Sequence, residues 1–370
     1  IDSPDKQINE LRLHFDDMLI TGYDTKRVVG YFLHHDIQVT VSHDVKVAAF
    51  LLNSLRKSFD LDVIVQQELG VTLPPLSDIP PEDIGVYAEE LVGAVQLMTT
   101  RQREQLANTG RLQAVATDME WPIIPVLAAM ERTGIELDVV YLRTMQRELE
   151  DSISDLEQTI YGFAGKEFNI SSPQQLAEVL FTDLGLPSHG IKKGKTGFST
   201  AASELAKLVS YHPIIPIISE YREYTKLKST YVDTLPNQVG PDGRVHTTFN
   251  LTIAQTGRLS STDPNLQNIP VRTEIGKKIR HAFVAKKGHS FVSADYSQFE
   301  LRLAAVLAGD IDMIEAFNSG ADIHTRTAAE VYGVALDDVT PQMRSNAKTI
   351  NFGVLYGMSP HGLSVATGMT

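Results

Sequence analysis

The sequence predicts several domains, an α/β segment followed by an α+β region, and three observations lead to that reading. Its 370 residues exceed one domain at roughly 100–200 residues each. Helical apolar spacing is interrupted by turn signals over the first hundred or so residues, then runs almost unbroken from Trp121. From residue 221 short β-like runs alternate with turns, and helical spacing returns at Phe299. A hydrophobic fraction of 42% with 21% charged residues supplies a core and argues against disorder.

Each element follows from local pattern. Residues 27–33 and 45–55 space their apolar side chains as helices do, and a longer helix at 82–106 starts after Pro80-Pro81. Residues 70–81 form a proline-rich loop, and Asn108-Thr109-Gly110 marks a soft boundary. Residues 139–164 are a long amphipathic helix with Leu142, Met145, Leu149, Ile153, Leu156 and Ile160 on one face and an acidic face outward. Ser171-Ser172-Pro173 caps the next helix, at 174–184. The glycine-spaced loop from His189 to Gly197 carries Lys192, Lys193 and Lys195. It suits a tip that touches phosphates, and equally a solvated surface loop. Residues 244–253 and 290–296 read as strands.

Composition sets further bounds. The absence of cysteine excludes a disulfide scaffold and Cys-ligated metal sites. The longest apolar run, residues 121–130, contains Pro122 and Pro125 and is shorter than the ~18 residues a membrane span needs. No membrane association is expected. No signal peptide opens the sequence, so a cytoplasmic location is expected. The chain starts without Met and reads as a piece of something longer. The net charge of −13 is uneven: residues 221–302 hold 12 Lys+Arg against 7 Asp+Glu. A phosphate-binding track can therefore coexist with an acidic whole, although an ordinary basic surface has the same composition.

Three constellations carry chemistry. In the first, a small-residue run (Ser290 to Ala294) leads into Asp295-Tyr296-Ser297-Gln298-Phe299-Glu300-Leu301-Arg302. A carboxylate at a strand end, followed at once by a helix, suits a Mg²⁺ ligand, and it also suits a helix cap. In the second, Arg344, Lys348, Phe352 and Tyr356 recur at i, i+4 and form a helical stripe from two cations to two aromatics. A nucleotide laid along such a helix would put its triphosphate over the cations and its base against the rings. Ile350, Val354 and Leu355 lie on the other side, so both faces have partners to find. The third runs from Gln255 to Arg272, polar, turn-rich and too long for a simple hairpin. Its Arg, Asn and Gln donors suit the minor-groove acceptors that every base pair shares. Lys277, Lys278, Arg280, Lys286 and Lys287 come next in sequence, a run that could face phosphates.

Together these segments resemble family A DNA polymerases, closely the bacterial DNA polymerase I type, over nearly the whole chain. The 295–302 segment resembles the first polymerase motif, 344–357 the nucleotide-binding fingers helix, and 256–272 the template–primer segment. Asp322-Ile323-His324-Thr325 resembles a fingers element near the incoming phosphates. The resemblance implies a ribonuclease H-like exonuclease-type domain, partial and inactive, over 1–115. A palm-base helix and helical thumb then span 116–220, the first part of an antiparallel palm 221–302, and the first part of the helical fingers 303–370. It implies two Mg²⁺ ions in a complete enzyme, with Asp295 and the Tyr296 carbonyl as ligands. Arg344, Lys348 and His324 would hold the triphosphate, Lys348 also protonating the leaving pyrophosphate. Glu300 would exclude a 2′-hydroxyl, Phe352 pack on sugar and base, and Tyr356 close the base-pair pocket. Arg258, Asn265, Gln267, Asn268, Arg272 and Gln298 would contact DNA, with Lys192, Lys193 and Lys195 at the thumb tip. The implied partners are primer–template DNA and a dNTP, and the implied setting is a monomer at the bacterial nucleoid.

Two departures qualify the resemblance. The family's later His-Asp-Glu motif, which brings the second metal-binding carboxylate, does not occur in the 370 residues, so this chain is expected to bind without polymerising. In the N-terminal part, Val28 and Leu91 stand where the exonuclease pattern has metal-binding aspartates, with Tyr87 the remnant of its tyrosine motif. Asp24 and Glu90 are the nearest substitutes. Two other readings are a DNA-binding or structural paralogue without catalysis and a single-subunit RNA polymerase. Glu300 and Phe352 argue against the latter, which needs room for a 2′-OH.

Overall fold

The computed structural model describes residues 18–195, 197–271 and 273–369. They fall into two compact units, one through His289 and one from Ser290.

In the first unit, β1 (Leu19–Gly22) and β2 (Thr40–Asp44) pair in parallel through the crossover helix α1 (Thr25–His34). Helices α2 (Val45–Leu52), α3 (Leu61–Leu69), α4 (Ile84–Asn108) and α5 (Arg111–Val115) come next. A π turn at Ala116–Glu120 leads into α6 (Trp121–Thr133). Val29, Val41, Val47, Trp121 and Ile124 form one core, which packs α1 on α6. Ile64, Val65 and Met98 anchor a second. Asp44, nearly fully buried, accepts from Thr25 N and Oγ1 (2.6 and 2.7 Å) and from Lys46 N and Val47 N (2.9 and 3.0 Å), tying the starts of α1 and α2 together.

Beyond α6 the chain turns at Gly134 (φ 58°), where a Cβ would lie 2.7 Å from the Val245 carbonyl. That contact admits only glycine. Strand β3 (Ile135–Leu137) follows, then α7 (Val139–Ala164), α8 (Pro173–Glu178), a hairpin of β4 (Lys193–Gly194) with β5 (Gly197–Phe198), α9 (Ala202–Leu205) and α10 (Ile214–Leu227). Helices α7 and α10 pack together. Ile160, Leu176, Leu180, Ile214 and Ile218 lie in the core at one end of this pair and Leu142, Met145, Leu149 and Leu227 in the core at the other. The remaining elements are β6 (Arg244–Val245), β7 (Thr248–Asn250), β8 (Ser260–Thr262), α11 (Glu274–Arg280) and β9 (Phe283–Val284). Strand β3 is the centre of an antiparallel sheet ordered β6-β3-β9.

The second unit is helical: α12 (Phe299–Ala308), α13 (Ile311–Asn318), α14 (Ile323–Tyr332), α15 (Pro341–Leu355) and α16 (Pro360–Thr367). Leu301, Ala305, Ala316, Phe317 and Ile323 form its core, with Phe352 against it.

Several sequence expectations change in detail. The helix read at 45–55 stops at Leu52, and that at 174–184 is α8 plus a π turn at Val179–Asp183. The strand read at 244–253 is two short strands, and β3 adds a strand in a region read as helical. The segment from Gln255, read as too long for a simple hairpin, contributes one strand, β8, which pairs with β7 across residues 251–259, and it runs on past that pair. Residues 290–296 form no strand and are exposed, Val292 at 92%. A strand needs a neighbour for its backbone hydrogen bonds, and no described residue supplies one.

Candidate nucleotide and nucleic-acid site

The stripe lies on α15, whose start is fixed by Thr340, its side chain accepting from Met343 N, and by Pro341 in the first turn. Arg344 and Lys348 are exposed on that helix, and Phe352 is half-buried against the core. Tyr356 stands just past the helix end, at the C-cap, and its ring stacks on Phe352 at 6.3 Å and 14°. The Tyr356 hydroxyl donates to the Glu300 carboxylate on α12. The structure thus brings one acid and one aromatic of the expected set together. Ala347 and Gly353 face inward, whereas Val354 is 65% exposed. The second apolar face read from Ile350, Val354 and Leu355 is therefore incompletely covered among the described residues.

Helix α14 approaches α15 with His324 buried between them. The Asn351 amide Nδ2 donates to His324 Nδ1 at 3.1 Å, which assigns the ring proton to Nε2. The His324 and Phe352 rings lie 5.9 Å apart. Burial lowers the His324 pKa; Asp322 opposes this, while Arg344 and Lys348 reinforce it. Burial likewise lowers that of His43 in the first unit, which is bonded to Gln102 at 2.9 Å. Both rings hold a proton less readily folded than unfolded, so unfolding takes up protons below about pH 6.5. Their contribution to stability is complete above that pH and is lost as pH falls through the folded pKa. Urea unfolding is expected to show stability declining by at most about 1.4 kcal/mol per pH unit per histidine below pH 6.5. His43→Gln should flatten that decline, and an unchanged slope would refute the assignment.

The other sequence-predicted residues are more dispersed. Asp295 and Tyr296 lie on the exposed segment before α12, and Gln298 caps that helix with a left-handed backbone (φ 52°). Lys192, Lys193 and Lys195 are exposed on and beside the β4–β5 hairpin, Lys193 over the Phe198 ring at 5.4 Å. Arg258, Asn265, Gln267 and Asn268 are exposed around β8; Asn265 Oδ1 accepts from Gln267 N at 3.1 Å, and Gln267 Nε2 donates to the Leu259 carbonyl at 3.2 Å. Arg272 lies outside the described residues.

No group of three or more His, Cys, Asp or Glu side chains able to hold a metal occurs among the described residues. Asp295 with one backbone carbonyl is too small a donor set for two Mg²⁺ ions, and the Glu300 carboxylate is engaged by Tyr356. In the N-terminal part Asp24 is paired with Lys46 and Arg27 at 3.3 and 3.4 Å. Glu90 is exposed, and Tyr87 is half-buried on α4. No described helix is long and apolar enough to cross a membrane.

Sequence reasoning missed one buried cluster. Lys26 on α1 donates to Glu131 on α6 and to the Phe249 carbonyl at 2.7 Å, while Phe249 N donates to Glu131 at 2.6 Å. Nothing in local spacing joins residues this far apart in the chain.

The family model for DNA polymerase family A matches residues 139–370, and the chain belongs to that family. It is 41% identical to DNA polymerase I of Bacillus subtilis over 363 residues, 94% of this chain and 41% of that protein. With the thermostable DNA polymerase I of Thermus thermophilus it shares 53% identity over 264 residues, 71% of this chain and 32% of the relative. The chain thus spans about two fifths or less of the curated relatives it matches. Among solved structures, one described as the POL domain of Pol1 from M. smegmatis in complex with DNA primer-template and dNTP superposes with a TM-score of 0.86 at 36% identity, covering 100% of this chain and 64% of that one. The fold is the mixed α/β fold of that polymerase domain.

Proposed function

We propose that this chain is the substrate-binding portion of a DNA polymerase I type enzyme, which adds dNTPs to a primer end on a DNA template. The observation that carries the reading is one helix, α15, presenting Arg344 and Lys348 exposed and Phe352 stacked on Tyr356, with His324 at its side. The triphosphate lies over Arg344 and Lys348, with His324 Nε2–H as a third donor. Charge-assisted bonds of this kind are the strong ones. The base and sugar meet Phe352 and Tyr356, and Glu300, held by the Tyr356 hydroxyl, fills the space a 2′-hydroxyl would need. Lys348 is placed to give a proton to the departing pyrophosphate.

Arg258, Asn265, Gln267, Asn268, Arg272 and Gln298 contact primer and template, and Lys192, Lys193 and Lys195 touch its phosphates from the tip of the thumb. Residues 1–115 are a structural remnant of an exonuclease-like domain, 116–220 the palm base and thumb, 221–302 the first part of the palm, and 303–370 the first part of the fingers. Family A polymerases use Mg²⁺; here Asp295 and the Tyr296 carbonyl are the ligands offered, and they do not complete a two-ion site by themselves. The chain alone therefore binds primer–template and dNTP without extending the primer, and works as a monomer in the bacterial cytoplasm.

Lys348→Ala removes one charged donor to the triphosphate. It is expected to weaken dNTP binding, measured by equilibrium titration, by roughly 10–100-fold, the worth of one such bond. Unchanged affinity would remove the triphosphate from this helix.

A further inference from the structure

We propose that Asp322 is a positioning residue for triphosphate binding, setting Arg344 and His324 at once. This inference rests on the nucleotide-site reading above and goes beyond it, because Asp322 does not touch the ligand. One carboxylate does two jobs. Its Oδ1 accepts from His324 N at 3.0 Å and from Thr325 N at 3.4 Å, which caps α14 and fixes the turn that presents His324. Its Oδ2 accepts from Arg344 Nε at 2.6 Å across the gap to α15. Burial pushes the Asp322 carboxyl up, but the Arg344 guanidinium, the His324 backbone N–H and the Thr325 side chain outweigh it and hold it below the usual range. The carboxylate is thus charged whenever the site is in use.

The geometry at Arg344 matters most. Asp322 engages Nε, so the opposite edge of the guanidinium is not taken up by this carboxylate, and the side chain is 46% exposed. A guanidinium held by one edge retains the other for an anion, and it does not have to be ordered when the ligand arrives. An arginine at this exposure without such a partner would sample many rotamers, and fixing it would cost part of the binding energy.

The proposal predicts a sign opposite to simple electrostatics. Removing a negative charge near a triphosphate should tighten binding, whereas loss of positioning weakens it. Asp322→Asn is the informative variant, because Asn caps a helix as well as Asp does and the fold is kept. In the intact chain, Asp322→Asn is expected to raise the Kd for dNTP about tenfold, and that for inorganic tripolyphosphate by the same factor. The thermal midpoint should move little. On an Arg344→Ala background the same substitution should change nothing further, since Asn keeps the cap that presents His324 and loses only the tie to Arg344.

Unchanged or tighter binding by Asp322→Asn would overturn the proposal while leaving the nucleotide-site reading intact, provided Arg344→Ala still weakens dNTP. An equal loss from Asp322→Asn on the Arg344→Ala background would also overturn it. Failure of the wild-type chain to bind dNTP would end both.

Discussion

Glu131→Ala is expected to lower the unfolding free energy by up to about 3–5 kcal/mol, the result of removing one partner of a buried ion pair, since Lys26 is buried although Glu131 is only partly so. Lys26 is 8% exposed and would keep its charge with only the Phe249 carbonyl as a partner. Phe249 N would lose its acceptor as well. The double variant Lys26→Met with Glu131→Leu should recover part of the loss, because it removes both buried charges, but Phe249 N stays unpaired. Urea unfolding of the three variants gives the comparison. A small loss for Glu131→Ala would mean that water reaches the pair and that α1 is not fastened to α6 and β7 in this way. The pair joins α1 and α6 to β7, which lies in the region that matches the polymerase family.

Asp44→Ala is the second large effect, with an expected loss of about 4 kcal/mol. Four donors point at that carboxylate. Each buried donor left unsatisfied costs about 1–3 kcal/mol, less what relaxation and water recover. Asp44→Asn should be nearly as harmful. Its single oxygen can serve the start of α2 and its NH₂ can donate to the Thr25 hydroxyl, but that NH₂ also meets the Thr25 N–H, donor against donor. If the Asn variant proved as stable as wild type, the four bonds would not be what orders this corner. Asp44 is therefore a structural acid, although it stands beside the segment where the exonuclease pattern was sought.

How much could be read from the sequence depended on whether the cause was local. The helix at 139–164 was legible to the residue, because its apolar side chains repeat along its whole length; the structure adds that Asp138 caps it. The α15 stripe was legible for the same reason, although Tyr356 proves to close the helix rather than continue it. The cap at Ser172 came from its Ser-Pro pair. What failed was non-local. Residues 290–296 have the composition of a strand but no described neighbour to pair with, and composition cannot show a missing partner. Strand β3 is three residues long, too short for alternation to register. Lys26, Glu131 and Phe249 meet only because α1, α6 and β7 pack together, and Asp322 reveals its link to Arg344 only once α14 lies against α15. The α15 stripe was thus readable from a motif, while the residues packed around it were not.

On the function proposed above, this chain forms the substrate-binding face of a DNA polymerase but not its full metal site. A fluorescent primer–template titrated with the chain at several salt concentrations, with dNTP and Mg²⁺ then added to the same samples, tests both halves. Binding is expected to weaken steeply with salt, as phosphate contacts require, with no growth of the primer. Extension would contradict the incomplete metal site and require another acid beside Asp295; absence of binding would contradict the DNA-binding face itself.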